Sequence, residues 1–457
     1  MNEQKTNPLG TEKISNLLLR FAIPSIIAMV VSALYNMVDQ FFIGRSVGML
    51  GNAATNVAFP LVITCTAIAL MCGIGGAANF NLCMGQQEKE EAASFAGNAI
   101  TMLFSLGMIL CIITRLFLKP MMILFGATSS VLDYSLIYTG ITSLGFPFLI
   151  LTTGGTNLVR ADGSPKFSMT CTLTGAIINT ILDPTLIFGF HMGIAGAAWA
   201  TVIGQVVSGI MVILYLRKFK TVKLTKEKLR PHSHYIGRIV SLGMAPFFNQ
   251  VSMMVVQIVM NNVLIRYGAK SSYGSDIPLA CAGIITKINM IFFAINIGIS
   301  QGLQPIISYN YGAKNASRVK DAFKLLLKVS LTYSVLLWLC IMCFPQVFAS
   351  IFTPDTALIA FTKDALRYYL AVMFLFGIQI SCQMTFNALG NAPASIIVAI
   401  MRKFVLLIPL IFIMPHIYTA DKTMAVYMAE PIADLIAVTF TAILFFFQFR
   451  KALREIE

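Results

Sequence analysis

The chain has 457 residues, of which 57% are hydrophobic and only 11% charged, with a mean hydropathy of +0.79. Soluble domains carry roughly 25% charged residues, so this composition excludes a water-soluble enzyme or binding module and leaves a membrane protein. The net charge of +14 raises nucleic acid as a partner, and only the placement of the charges along the chain decides that.

Apolar runs long enough to cross a ~30 Å hydrocarbon core as helices recur from end to end. Their cores lie near 17–43, 54–83, 95–118, 134–158, 168–189, 194–216, 236–265, 279–309, 323–348, 366–387, 394–415 and 424–448. The expectation is an all-α polytopic membrane protein of twelve spans. The amino end, "MNEQKTNPLGTEKISN", is polar, and the run after it is too long for a secretory signal and lacks a small-residue cleavage site, so no removable signal peptide is read.

With the amino end in the cytoplasm, 24 Lys and Arg fall on inner ends and loops, 8 on outer ones, and Lys287 within a span. This positive-inside bias sets both termini in the cytoplasm. The densest cluster, "RKFKTVKLTKEKLRPHSHYIGR", follows the sixth run; it suits chain orientation and anionic lipid, and nucleic acid is set aside. It divides the chain into an amino-terminal lobe (1–216), a basic linker (217–235) and a carboxyl-terminal lobe (236–457).

The two lobes read as copies. At a shift of 227, Gly75 falls on Gly302, Gly85 on Gly312, Ala161 on Ala388 and Gly163 on Gly390, while Pro24 matches Pro246 at a shift of 222. Each copy has an even number of spans, so both enter the membrane the same way. Such repeats are related by a pseudo-two-fold axis along the membrane normal, with ligand sites at their interface.

Polar residues inside the runs are the functional candidates, since an acid at mid-span costs ~2.5–3.5 kcal/mol on insertion scales. Asp39 lies ~33 Å along the first helix, Asp183 ~22 Å along the fifth, and Thr201 ~10 Å below the outer surface on the returning sixth, at 1.5 Å per residue. All three fall in the outer half of one lobe. Asn179 shares a helix face with Asp183 at i, i+4, as Tyr35 and Asn36 do with Asp39 at i, i+4 and i, i+3. Two carboxylates with amide and hydroxyl oxygens suit either a small hard cation such as sodium or a shared proton. The plainer alternatives are an interfacial acid at Asp39 and a helix-end cap at Asp183 before Pro184.

The second lobe holds Lys287, Arg402, Lys403, Glu430 and Asp434 within or near its runs. Buried charges of opposite sign pair, so these form either a structural ion-pair network or a substrate or coupling site. The methionines and phenylalanines, 25 and 34 in number, mostly pack or face lipid, and could also line an adaptable cavity. Cys340 and Cys343 read as packing residues on a lipid-length helix. His191, His232, His234 and His416 offer no ligand spacing, and no phosphate-binding loop occurs, so no metal beyond a coupling sodium, no other cofactor and no ATP-driven step are expected.

Along nearly its full length the chain resembles the MATE family of multidrug and toxic compound extrusion transporters. The resemblance rests on "NPLGTEKISNLLLRFAIPSII", "VDQFFIG", "LVRADGSPKFSM", "NTILDPTLIFG", "GIAGAAWATVIGQ", "QGLQPIISYNYGAKN" and "FNALGNAP", each weak alone and specific in this order. It implies two six-helix lobes forming a V, alternating access, and export of organic, mostly cationic compounds in antiport with H+ or Na+. In the DinF-type branch the coupling site corresponds here to Asp39, Asn179, Asp183 and Thr201, and Pro24 resembles the hinge proline of the first helix. A proline removes one helical hydrogen bond, which gives a hinge a physical cause. The NorM-type acids of helices 7 and 10 are absent: "APFFNQVSMMVVQIV" and "FGIQISCQMTFNALG" carry amides instead. The chain is similar overall to the MepA-like members of Gram-positive bacteria, which implies a monomer in the bacterial cytoplasmic membrane. The alternatives are a major-facilitator antiporter, a flippase for a lipid-linked saccharide, a membrane-embedded transferase and a channel. The first lacks its usual basic loop after helix 2, where "GQQEKEEA" is acidic. The transferase lacks a loop constellation of acids or histidines, and the channel lacks a filter sequence.

Overall fold

A computed structural model describes residues 7–274 and 276–457. Among them the secondary structure is entirely helical. Eleven helices are continuous and apolar enough to cross a membrane, and a twelfth span is broken. In chain order they are α1 (Ile14–Ser46), α2 (Met49–Gly85), α3 (Lys89–Leu116), α4 (Ser129–Ala161), α5 (Pro165–Gly189), α6 (Gly193–Leu216), α7 (Ser233–Gly268), α8 (Asp276–Gly312), α9 (Ala316–Cys343), α10 (Thr356–Tyr369 and Met373–Ala388), α11 (Ala392–Ile417) and α12 (Lys422–Arg454). A helix satisfies its backbone groups within its own segment in hydrocarbon, which is why apolar length alone located these spans.

The break in α10 was not expected. Its two pieces meet at 47° around a 3-10 turn, Met373–Leu375. No proline or glycine marks it; instead the indole Nε1 of Trp338 on α9 donates to the Ala371 carbonyl at 3.0 Å and satisfies a group the break leaves open. The equivalent place in α4 also has a 3-10 turn, Ser143–Gly145.

The backbone repeats with the sequence. Gly163 and Gly390, 227 apart, both adopt the left-handed region (φ +80° and +76°), and so do Gln87 and Lys314 (φ 65° and 55°), again 227 apart. The contacts repeat too. A Cβ on Gly85 would overlap the carbonyl oxygen of Tyr309, and a Cβ on Gly312 would overlap that of Leu82, the residue 227 before Tyr309. Each lobe presents the same patch to the other, as a two-fold axis requires.

These close approaches all lie toward the membrane side that carries both ends of the chain. There Gly75 and Gly243 bring α2 against α7, and Gly298 and Gly302 seat α8 on Ile26 and Ala22 of α1. One apolar cluster spans both lobes on this side, joining Leu17 and Phe21 to Leu303, Ile306 and Val319. Toward the far side the clusters separate. One belongs to the first lobe alone, around Ile43, Ala58, Tyr138 and Ile194. Another belongs to the second lobe alone, around Val263, Phe292, Leu407 and Tyr427. The lobes therefore form a V, joined near the termini and parted at the far face.

Segments that precede the lobes cross over to the opposite one. The short helix Pro8–Thr11 lies on the second lobe, where Asn310 Nδ2 and Arg318 NH2 donate to the Leu9 carbonyl at 2.9 and 3.1 Å. The linker between α6 and α7 lies on the first lobe: Asp162 accepts from the Lys220 and Thr221 N–H groups at 2.7 and 3.0 Å, and Asn98 Oδ1 from His232 N at 2.8 Å.

Candidate functional site

The first lobe assembles its polar residues in the far half, under the cluster of Ile43, Tyr138 and Ile194. Asp39 is 7% exposed, Asn179 2% and Asp183 0%. Asn179 satisfies both of its neighbours when its amide nitrogen faces Asp183 Oδ2 at 3.2 Å and its oxygen faces the Thr201 hydroxyl and N–H, each at 3.2 Å. The i, i+4 spacing on α5 and the crossing of α6 produce that triangle. Asp39, from α1, brings its carboxyl within hydrogen-bonding reach of Asp183.

Asp39 Oδ1 is buried and has no hydrogen-bond partner among the described residues. No Lys, Arg or His nitrogen among the described residues lies within 4 Å of either acid. Two carboxyls that meet in a dry place without a base cannot both stay ionised unpaired; they share a proton or enclose a cation. The oxygens of Asn179 and Thr201 could complete a hard-cation shell beside them, and no group of three or more His, Cys, Asp or Glu suited to another metal occurs among the described residues.

Tyr35 lies close enough to both acids to interact with them, and so does Tyr138 of α4, which sequence reasoning missed. Depth carried a signal for Tyr138: it is a phenol ~13 Å along a helix entering from the far side. Asn36 does not join. Its amide donates to the Ser32 carbonyl of its own helix at 2.7 Å and the residue is exposed. Pro24 is buried in α1 about 22 Å from Asp39 along the helix, between Ala22 and Ile26, the residues that meet Gly302 and Gly298. It is thus placed to link the acid's helix to the closed seam. Beyond Asp183, Pro184 leads into a π-helical turn, Thr185–Gly189, a widening that recurs at functional sites.

The second lobe pairs its acids. Arg402 Nε donates to Asp434 Oδ1 at 2.6 Å and its NH2 to Glu430 Oε1 at 3.0 Å, while Lys403 Nζ reaches the same Glu430 oxygen at 3.3 Å. Glu430 and Asp434 share one face of α12 at i, i+4. Lys287 stands apart from this network: it is exposed on α8 and lies over the Phe352 ring at 5.6 Å. It sits one residue before the face that packs inward through Ile288, and lysine's long stem lets the charge leave the protein interior. Cys340 and Cys343 are free and exposed on α9.

The MatE family profile matches residues 24–185 and 247–413, one segment in each lobe. The chain belongs to the MATE transporter family. That membership sets aside the major-facilitator alternative. The chain is similar to the multidrug export protein MepA of Staphylococcus haemolyticus, 26% identical over 420 residues, covering 92% of this chain and 91% of that protein. MepA of Staphylococcus aureus is 26% identical over 402 residues, with 88% and 87% covered. Among solved structures, an outward-facing multidrug resistance MATE family transporter of the MOP superfamily superposes with a TM-score of 0.91 at 22% identity over 100% of both chains. A MOP superfamily transporter from Pyrococcus furiosus gives 0.89 at 22% identity over 99% of each. At these identities the structures speak for the twelve-helix fold.

Proposed function

We propose that this MATE transporter is a secondary-active exporter of organic, mostly cationic compounds, working as a monomer in a bacterial cytoplasmic membrane by antiport with H+ or Na+. What carries the reading is the meeting of Asp39 and Asp183, from separate spans, in a buried place without a base, with one Asp39 oxygen left unpartnered. The similarity to MepA proteins supports the substrate class. The charge bias supports termini in the cytoplasm, which makes the closed seam cytoplasmic and the V outward-open.

In this scheme a proton or sodium ion enters from outside, neutralises the acid pair, and favours one arrangement of the lobes, while the organic cation favours the other. By linkage each lowers the other's affinity. Pro24 supplies the bend through which α1 passes the change to Ala22 and Ile26 at the seam. The deciding experiment uses sealed vesicles with separately imposed sodium and pH gradients and ethidium as the reporter. Transport that follows one of the two gradients names the ion; transport that follows neither removes antiport.

A further inference from the structure

The seam that joins the lobes on the side of the termini is polar at its centre. Where α2 and α8 cross, Gly85 meets the Tyr309 carbonyl and Gly312 meets the Leu82 carbonyl. Asn81 precedes Gly85 by four residues and Ser308 precedes Gly312 by four, so each shares the helix face turned to the other lobe. Gln301, eleven residues or about three turns before Gly312, shares that face too. Asn81 and Ser308 are 227 apart and hold equivalent places in the two lobes. Asn81 is 1% exposed, Gln301 3% and Ser308 0%. Both polar atoms of Asn81, Gln301 Oε1 and Ser308 Oγ have no hydrogen-bond partner among the described residues.

A helical asparagine or serine has a partner at hand, the carbonyl four residues back. Buried Asn79, Asn98 and Asn310 donate to that carbonyl at 2.9, 3.0 and 2.8 Å, and buried Ser25 and Ser135 at 2.8 and 2.7 Å. Asn81 and Ser308 forgo it. They turn from their own backbone into a seam whose neighbours are apolar, with Phe80, Leu303 and Ile306 in the cluster that joins the lobes. The backbone adds to the deficit: Pro305, between Gln301 and Ser308, has no N–H to give the Gln301 carbonyl. Apolar contact thus holds the seam shut, and unmet polar groups weaken it from within.

We propose that Asn81, Gln301 and Ser308 are the residues that let this seam part. They stand without partners while the lobes are closed on the side of the termini and take water as partners when the lobes separate there. Their hydration then offsets part of the apolar contact that opening gives up. An unmet amide or hydroxyl shifts the balance toward the open seam by about tenfold. The inference rests on the alternating access proposed above, and it needs neither the coupling ion nor the substrate to be known.

Cys83 supplies the readout. It lies on α2 between Asn81 and Gly85, is free and 7% exposed, and belongs to the cluster that joins the lobes. Its alkylation by N-ethylmaleimide in purified full-length protein in detergent, followed by mass spectrometry, reports opening of the seam with no gradient present. Asn81→Leu and Ser308→Ala are each expected to slow that reaction about fivefold or more and to raise the melting temperature, since each removes an unmet polar group from the closed state. If these groups instead hold the lobes together, both variants react faster and melt lower, and that result overturns the proposal. Ser308→Ala decides alone should Asn81→Leu not fold, because it removes a single atom from the helix opposite Cys83. A wild-type Cys83 that reacts only after denaturation means that the seam does not open and overturns alternating access along with this inference. A reactive wild-type Cys83 with an unchanged rate in Ser308→Ala overturns this inference alone.

Discussion

The two lobes share a backbone and set their acids in opposite surroundings. In the first, Asp39 and Asp183 meet without a base and one oxygen stays open. In the second, Glu430 and Asp434 meet beside Arg402 and Lys403. The position matching Asp39 at the shift of 222 is Asn261, whose side-chain oxygen accepts from Gln257 Nε2 at 2.9 Å, and Gln257 Oε1 accepts from Thr286 at 3.2 Å. That position carries a polar group at the same depth without a charge. Repetition therefore fixes where a side chain projects, and single substitutions decide its charge and its partners: the first-lobe acids meet bare, and the second-lobe acids meet the bases that balance them.

The largest expected effect breaks the first half of this contrast. Asp39→Asn and Asp183→Asn each remove the exchangeable charge, so gradient-driven ethidium efflux from vesicles should fall to background with the protein still folded. Full efflux by both variants defeats the coupling role. Next, Arg402→Met strands the buried carboxylate of Asp434 and leaves Glu430 with Lys403 alone, and denaturation in detergent should show a loss of about 3–5 kcal/mol. Asp183→Asn, which strands no partner charge, should cost far less on the same scale. Equal losses would mean that the two acid pairs are not different in kind.

The seam can be broken symmetrically. Gly85→Ala and Gly312→Ala each push a methyl group into a carbonyl of the other lobe, at an expected cost of about 1–3 kcal/mol to the closed side that carries the termini. Cysteine accessibility from the side of the termini should rise alike in both, and a rise in only one would break the two-fold relation. Thr201→Val removes one hydroxyl that Asn179 uses, and the apparent affinity for the coupling ion should weaken by about 1 kcal/mol, near fivefold, in the efflux assay. Smallest of all, Lys287→Ala loses one exposed cation–π contact, worth about 0.5–1 kcal/mol, and should leave transport unchanged. A transport defect there would return Lys287 to the charge network from which the geometry separates it.

How legible the site was depended on how local its signals are. Asn179 and Asp183 could be read together because four residues on one helix share a face, and Thr201 joined them by depth alone. Asn36 failed the same rule: spacing gives a face, but the amide found its own Ser32 carbonyl. Tyr138 was overlooked because a tyrosine in an apolar run looks like any interfacial aromatic until its neighbours are known. Lys403 was grouped with Arg402 by charge alone; adjacent residues of an α-helix point apart, and only the π-helical turn Met401–Leu407 shows how both reach Glu430.

By itself the sequence determined the number of spans and the internal repeat. These follow from hydrocarbon thickness, from the cost of bare backbone in lipid and from an even span count, none of which requires knowing what touches what. Only the tertiary structure decided which buried charges meet a partner. It joined the lobes on the side of the termini, broke α10 at a carbonyl that Trp338 could satisfy, and left one oxygen open in each acid pair. The reason is physical: the energy of a buried charge depends on the few ångströms around it, and those neighbours come from helices far apart in the chain.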